Sequence, residues 1–136
     1  MTSDQLQKSH AALELLRVTT ASLILIHGVT RIVIDGVEPF GAWLGTQGFP
    51  FGLQLAWAVT LYELVGPMCI IGRRFVSLAS IGHIFILAIG LVLVHAPNGW
   101  FVVGAGRNGV EYSVLLIACL VAIAWLHWPD LKSKAQ

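Results

Sequence analysis

Charged residues are scarce in this sequence, and their scarcity indicates the class of protein. Aspartate, glutamate, lysine and arginine make up 11 % of 136 residues, against about 25 % in soluble domains. Hydrophobic residues reach 57 % and the mean hydropathy is +0.81, so the composition predicts an integral membrane protein with a single domain over residues 1–136. The net charge is +1 and basic residues form no long run, which argues against a nucleic-acid partner.

Cysteine is also rare, and its two positions do not provide a redox pair. Cys69 and Cys119 form no Cys-x-x-Cys motif. The rise per helical residue predicts a difference in depth of about 12 Å between them, which is too far for a disulfide. No metal-ligand pattern appears either, so any electrons must come from a partner. The polar residues 1–12 carry no signal-peptide pattern, and the first span is expected to act as its own insertion signal.

Four apolar segments have about the length that a helix needs to cross a bilayer. They cover residues 14–34, 51–72, 76–95 and 109–128. The sequence therefore predicts an all-α polytopic membrane protein with a four-helix transmembrane bundle. In the first outer loop, residues 35–50, Phe40, Trp43 and Leu44 have helical spacing, which predicts a short interfacial helix ended by Gly45 or Gly48.

The lysines and arginines are unevenly shared between the two sides of the predicted spans, and this asymmetry predicts their orientation. If both termini are cytoplasmic, two basic residues lie outside, Arg31 and Arg107, and six lie inside. The six are Lys8, Arg17, Arg73, Arg74, Lys132 and Lys134. The sequence thus predicts a multi-pass protein with both termini in the cytoplasm.

Ionisable and small residues share one face of every predicted span, because they recur at steps of three and four. Small residues mediate helix packing in membranes, so these faces are expected to point inward. The four faces comprise Leu13, Arg17, Thr20, Ile24, His27 and Arg31; Gly52, Ala56, Val59, Glu63, Gly66 and Ile70; Ala79 or Ser80, His83, Leu87 and Gly90; and Arg107, Glu111, Leu115, Ala118, Ala122 and Trp125.

Glu63 is the most informative of these residues, because it lies in the middle of the second span. A charge at that depth costs about 2.5–3.5 kcal/mol on insertion scales. Pro67 creates a second group in need of a partner, since it removes the helical hydrogen bond to the Glu63 carbonyl. Counted from the outer boundary, Glu63 and His83 both lie about 18 Å deep. The sequence therefore predicts a buried Glu63–His83 pair, with His27 one to two turns above it.

The remaining polar residues are expected at the outer rim or the inner end. Arg31 and Glu111 lie at or just inside the rim, where Glu111 can pair with Arg107 along one helix. Structural explanations stay open beside functional ones. Arg17 can extend to lipid phosphate or pair with Glu14, Arg31 can anchor the helix end, and the histidines can be packing residues. For Glu63 the functional interpretation is preferred.

Scattered residues along the chain resemble the DoxX family of small bacterial membrane proteins. They are Arg17, His27-Gly28, Arg31, Trp43-Leu44, Gln47-Gly48-Phe49-Pro50, Glu63, Gly66, Gly72-Arg73-Arg74, Gly109 and Glu111. The resemblance implies a four-helix protein of the bacterial cytoplasmic (inner) membrane. It also implies a link to subunits of archaeal quinol oxidase and thiosulfate:quinone oxidoreductase. Pro67 and the mid-span His83 depart from the commoner family pattern.

The leading functional hypothesis is a quinone-linked, redox-associated membrane subunit. His27, Glu63 and His83 supply the polar and proton-handling groups, Trp57 or Tyr62 flanks the quinone ring, and Arg31 and Glu111 complete the predicted binding set. Haem fits less well than quinone, because axial histidines should lie at one depth and His27 and His83 differ by about 8 Å.

Two other classes of function remain open. One is a non-catalytic membrane scaffold or assembly partner, whose buried polar groups fix helix register. The other is a small solute or proton carrier, for which four short helices require oligomerisation. The expected partners are the lipid bilayer, a redox protein and a second copy of the chain.

Overall fold

A computed structural model describes residues 2–128, and these residues form helices and connecting turns without a strand. The helices are α1, Ser3–Val33; α2, Val37–Thr46; α3, Gly52–Ile71; α4, Val76–Gly90; and α5, Glu111–Leu126. A π-helical turn, Leu91–His95, and a 3-10 turn, Ala96–Asn98, continue α4. Lys132 and Lys134, on which the predicted orientation partly depends, lie outside the described residues.

Three helices are long and apolar enough to cross a membrane: α1, α3 and the continuous segment Val76–Asn98. The fourth predicted span corresponds to α5, which has 16 residues and a length of about 24 Å, shorter than the roughly 30 Å hydrocarbon core. The all-helical membrane character is thus confirmed, whereas the fourth span and the four-helix bundle stay predictions.

The first helix begins at Ser3, and thus extends before the apolar span predicted from residue 14. A capping box explains the difference, because the Thr2 hydroxyl accepts from the backbone of Gln5 and the Gln5 side chain accepts from the backbone of Thr2. An ion pair between Lys8 and Asp4, 2.7 Å long, adds support one turn later. The polar N-terminal residues are therefore helical even though they are too hydrophilic for a membrane core.

The chain divides after Arg74 into two compact units, and each is described by itself. In the first unit, α2 packs on the start of α3. Gly41 and Gly52 make this approach close, since a Cβ atom on either would overlap the backbone of the other helix. Val37 and Leu44 pack with Ala56 to form a small core. The short helix predicted in this loop is confirmed, and it ends at Thr46, between the two predicted glycines.

Arg17 joins α1 to the C-terminal end of α3. Its buried guanidinium donates to the carbonyl oxygens of Ile70 and Ile71, which the end of a helix leaves without helical partners. Glu14 lies 2.5 Å from Arg17 and 2.6 Å from Arg73. The predicted Arg17–Glu14 pair is confirmed, and its position at the negative end of the α3 dipole indicates a structural role.

The predicted inward faces of α1 and α3 are largely confirmed. Arg17, Thr20 and Ile24 are buried on α1, and the buried residues of α3 include Ala56, Glu63, Gly66 and Ile70. Leu13 and His27 are exceptions on α1, because both are exposed. At the level of His27 the buried position of α1 is Gly28, one residue further along.

The second unit contains α4 and α5. The Ser77 hydroxyl donates to the Ala124 carbonyl (3.1 Å), which links the two helices. The predicted inward face of α5 is wrong: Leu115 is 60 % and Trp125 is 82 % exposed. The buried residues are Ser113, Leu116, Leu120, Ile123 and Ala124. The prediction extended a stripe from Arg107, but Arg107 precedes the helix and therefore gives no information about its phase.

The loop between the 3-10 turn and α5 folds back on itself. Gly109 lies against the backbone of Trp100, where a Cβ would overlap it. The Glu111 carboxylate accepts from the backbone N–H of Val102 (2.9 Å). The predicted pairing of Glu111 with Arg107 is not among the ion pairs found in residues 2–128, so Glu111 serves here to hold the loop.

Candidate functional site

An ion pair between Arg31 and Glu63 forms the centre of the candidate site. Nη1 of Arg31 lies 2.5 Å from Oε2 of Glu63 and donates also to the Thr60 hydroxyl (3.1 Å). Thr60 in turn donates to the Ala56 carbonyl (2.7 Å). The Glu63 side chain is 10 % exposed and that of Arg31 is 18 % exposed. The acid is thus enclosed, while the guanidinium is still partly accessible.

Gly28 allows this ion pair to form. A Cβ atom at Gly28 would lie 3.0 Å from the Cβ of Glu63 and 3.2 Å from its backbone carbonyl carbon, so α1 and α3 approach closely at this level. Arg31 is one turn further along the same side of α1 and reaches back to the carboxylate. The local sequence Gly28-x-x-Arg31 therefore supplies both the space and the partner that a carboxylate at this position requires.

The expected depths need correction on this point. Counting from the outer boundary predicted Arg31 at the rim and His27 one to two turns above Glu63. In the structure Gly28, the neighbour of His27, lies directly against Glu63. The depth estimate assumed that the outer ends of α1 and α3 lie at the same level. The first turns of α3, around Ala56, instead pack against α2, beyond the end of α1.

A pocket of about 390 Å³ lies beside the ion pair, within the size range of small-molecule sites. Its lining comprises Ile26, His27, Thr30, Arg31, Ile34, Gly36 and Phe40. The guanidinium carbon of Arg31 lies 4.6 Å from the centre of the Phe40 ring, a cation–π distance. Phe40 stacks on Trp43, with ring centres 6.0 Å apart. The pocket thus combines apolar walls, a fixed aromatic ring and a cation.

Several hydrogen-bond donors of Arg31 remain available to the pocket. A guanidinium carries five N–H donors, and the contacts to Glu63 and Thr60 both use Nη1. Within residues 2–128, no hydrogen bond to Nε or Nη2 is found. Glu63 therefore fixes Arg31 in place without occupying all of its donors.

The predicted site residues are only partly brought together. Arg31 and Glu63 are in contact, and His27 and Arg31 line one pocket. Trp57 and Tyr62 lie on α3 and do not line that pocket; Trp57 is 45 % exposed.

His83 and Glu111 belong to the second unit. His83 is buried on α4, with Nδ1 2.8 Å from the carbonyl oxygen of Ala79. The Glu63–His83 pairing stays a prediction, and the partner that the structure gives Glu63 is Arg31. Among residues 2–128, no group of three or more histidine, cysteine, aspartate or glutamate side chains has a metal-binding arrangement.

Two contributors to the site were missed from the sequence. Thr60 lies three residues before Glu63, and this spacing on one helical face was a usable signal. Phe40 was noted only for its helical spacing, because the contact of α2 with Arg31 depends on the turn at Asp35 and Gly36. There Asp35 adopts a left-handed conformation (φ 53°) and the Gly36 N–H donates to the Arg31 carbonyl (2.7 Å).

Comparison with known proteins identifies a family. The DoxX family model matches residues 12–96, more than half of the chain, and the matched range contains Arg31, Thr60, Glu63 and the whole pocket lining. No curated protein and no solved structure matches the chain. The resemblance seen in the sequence is therefore confirmed, and the long apolar helices agree with it: the chain is an integral membrane protein that belongs to the DoxX family.

Proposed function

We propose that this protein is a quinone-linked, redox-associated membrane subunit that binds a quinone headgroup in the pocket beside the Arg31–Glu63 ion pair. One observation carries the proposal. Arg31, which is held by Glu63 and retains unused N–H donors, faces a pocket with apolar and aromatic walls. A quinone has the matching chemistry, because it presents carbonyl acceptors on a flat ring and carries an apolar tail.

Different pocket residues contact different parts of the quinone. Arg31 donates to one carbonyl of the ring, and a charge-assisted hydrogen bond of this kind is roughly twice as strong as a neutral one. His27 lines the same pocket, and the N–H of its imidazole provides a second hydrogen-bond donor. Ile26, Ile34 and Phe40 provide the apolar surface that contacts the ring and the first part of the tail. A volume of about 390 Å³ accommodates such a headgroup.

Glu63 has a positioning role in this proposal. Its carboxylate holds the guanidinium against the pocket, and Thr60 restricts the guanidinium from a second side. Reduction of a quinone consumes two electrons and two protons. A redox partner supplies the electrons, since the sequence contains no redox motif of its own. His27 is the titratable group nearest to the ring for proton transfer, and His83 stays a candidate for a longer proton route.

The test is quinone binding by the full chain in lipid nanodiscs, with a short-tail benzoquinone as the probe. Quinones quench tryptophan fluorescence, and Trp43 stacks on the pocket residue Phe40. The double substitution Arg31→Gln with Glu63→Gln removes the charges without leaving one of them unpaired. We expect it to weaken binding at least about tenfold.

Arg107→Gln serves as the matched control, because Arg107 is exposed and lies in the second unit. It should leave the affinity unchanged. Absence of saturable binding to the unmodified protein, or equal loss in both variants, contradicts the proposal.

A membrane scaffold is the second candidate, and a specific observation favours it. Arg17 and Arg31 both join α1 to α3, which fixes helix register without a ligand. A scaffold predicts no quinone binding and a loss of stability or of partner capture in the same double variant. The binding experiment therefore separates the two functions directly.

A further inference from the structure

The charged side chain that faces the pocket is a pure hydrogen-bond donor, whereas the other two polar side chains of the lining, His27 and Thr30, can both donate and accept. Arg31 can only donate, and it carries the formal charge of the lining. The acidic residues nearest in sequence, Asp35 and Glu38, are not part of the lining. A bound headgroup therefore contacts a positively charged hydrogen-bond donor, Arg31.

Most acceptors near the pocket are bound to other groups or lie outside its lining. Oε2 of Glu63 is bound to Arg31, and the acid is 10 % exposed and does not line the pocket. The Thr60 hydroxyl accepts from Arg31 and gives its own hydrogen to Ala56. The Arg31 carbonyl accepts from the Gly36 N–H. Among the lining side chains, only His27 in its neutral form and the Thr30 hydroxyl can accept.

The oxidation states of a quinone differ in this same property. Each carbonyl of the oxidised form accepts hydrogen bonds and donates none. Each hydroxyl of the reduced form can still accept from Arg31, but it is a weaker acceptor than a carbonyl and must also place its own hydrogen, for which the lining side chains offer only His27 and Thr30. An unpaired polar group in an apolar site has a free-energy cost comparable to that of a lost hydrogen bond.

We infer that the pocket selects the oxidised, hydrogen-bond-accepting form of its headgroup over the reduced, hydroxyl form. This inference rests on the proposed quinone function and specifies which form of the ligand the resting protein holds. Because hydrogen bonds to charged groups are among the stronger ones, the oxidised form should bind about tenfold more tightly than the reduced form.

A preference of this size has an electrochemical consequence. The couple takes up two electrons and two protons: quinone + 2 e⁻ + 2 H⁺ gives quinol, with electrons from mediators and protons from the buffer. Tighter binding of the oxidised form lowers the midpoint potential of the bound couple. A tenfold preference corresponds to about 30 mV for a two-electron couple.

The experiment compares the two forms of one short-tail benzoquinone on the full chain in nanodiscs without oxygen. One arm uses the oxidised probe, and the other uses the probe reduced chemically beforehand. We expect about tenfold tighter binding of the oxidised probe, and a ratio near one in the Arg31→Gln, Glu63→Gln double variant. Equal affinities, or tighter binding of the reduced probe, overturn the inference and leave quinone binding intact. Binding of neither form overturns the proposed function itself.

A second measurement keeps the test independent of how well the variant folds. The midpoint potential of the probe bound to the unmodified protein should lie below that of the same probe in protein-free nanodiscs. An unchanged or higher potential contradicts the preference even when both forms bind.

Discussion

The inward face of α1 carries two arginines, and their surroundings differ in one informative respect. Arg17 is 3 % exposed, and its hydrogen bonds go to backbone carbonyls at the end of α3 and to Glu14. Arg31 binds a side-chain carboxylate and a hydroxyl, contacts an aromatic ring and borders a pocket. The first arginine completes a helix end. The second is held in place at the edge of a pocket and is partly accessible, and this difference separates a structural cation from a candidate ligand-binding one.

The largest expected effect is on stability, from Arg17→Gln. The substitution leaves carbonyl oxygens at the end of α3 without their cation, and it leaves Glu14 with Arg73 alone. A hydrogen bond to a charged group contributes about 1.5–3 kcal/mol, and Arg17 makes two such bonds to these carbonyls. We expect a matching loss in the free energy of unfolding, measured by denaturant titration in mild detergent.

The quinone affinity of the same variant also tests whether Arg17 and Arg31 have different roles. Per folded molecule, its affinity for the quinone probe should equal that of the unmodified protein. A fall in affinity without a fall in stability would mean that the roles of the two arginines are reversed.

The next effect concerns the helix contact that places Arg31. A Cβ atom in Gly28→Ala meets Glu63 at 3.0 Å, and overpacking of this kind costs about 1–3 kcal/mol. We expect lower thermal stability together with weaker quinone binding, because the displaced helix moves Arg31 away from Glu63. The control is Gly90→Ala on α4, where nothing lies within 4 Å of the added atom. A Gly28→Ala protein as stable as the control variant would show that the close approach is not required.

The smallest effect is expected from Phe40→Leu. This change keeps an apolar residue on α2 but removes the ring beside Arg31, and a cation–π contact contributes about 0.5–1 kcal/mol at accessible sites. Quinone affinity should fall by several-fold with little change in thermal stability. Trp57→Leu, on α3 and outside the pocket lining, is the comparison variant. Equal effects of the two substitutions would remove Phe40 from the site.

The sequence predicted the polar contacts of the first unit better than those of the second. On α1 and α3, buried Arg17, Thr20, Glu63 and Gly66 stand out against lipid-facing residues, so periodicity identifies the packed side. On α5 nearly every side chain is apolar, and leucine or isoleucine occurs on all sides. The buried Ser113 was the one polar marker of its face, and the stripe that was followed instead began at Arg107, outside the helix.

The contact of Glu63 with Arg31 could not be found by counting residues from the predicted boundaries, and the pairing with His83 stays a prediction. Sequence reasoning identified the need for a partner correctly, from the charge and from Pro67. Its choice of His83 depended on equal depths, and depth depends on how far each helix extends past its neighbours. The overlap of α1 with α3 depends on how α2 packs on α3, and residue counting along single helices does not give that packing.

The close contact between Gly41 and Gly52 has a mechanical consequence for the pocket. It packs α2 tightly on the start of α3, and these two helices carry Phe40 and Glu63. Arg31 belongs to α1 and faces both. Any change in the packing of α1 against these two helices would therefore alter the ring contact and the ion pair together.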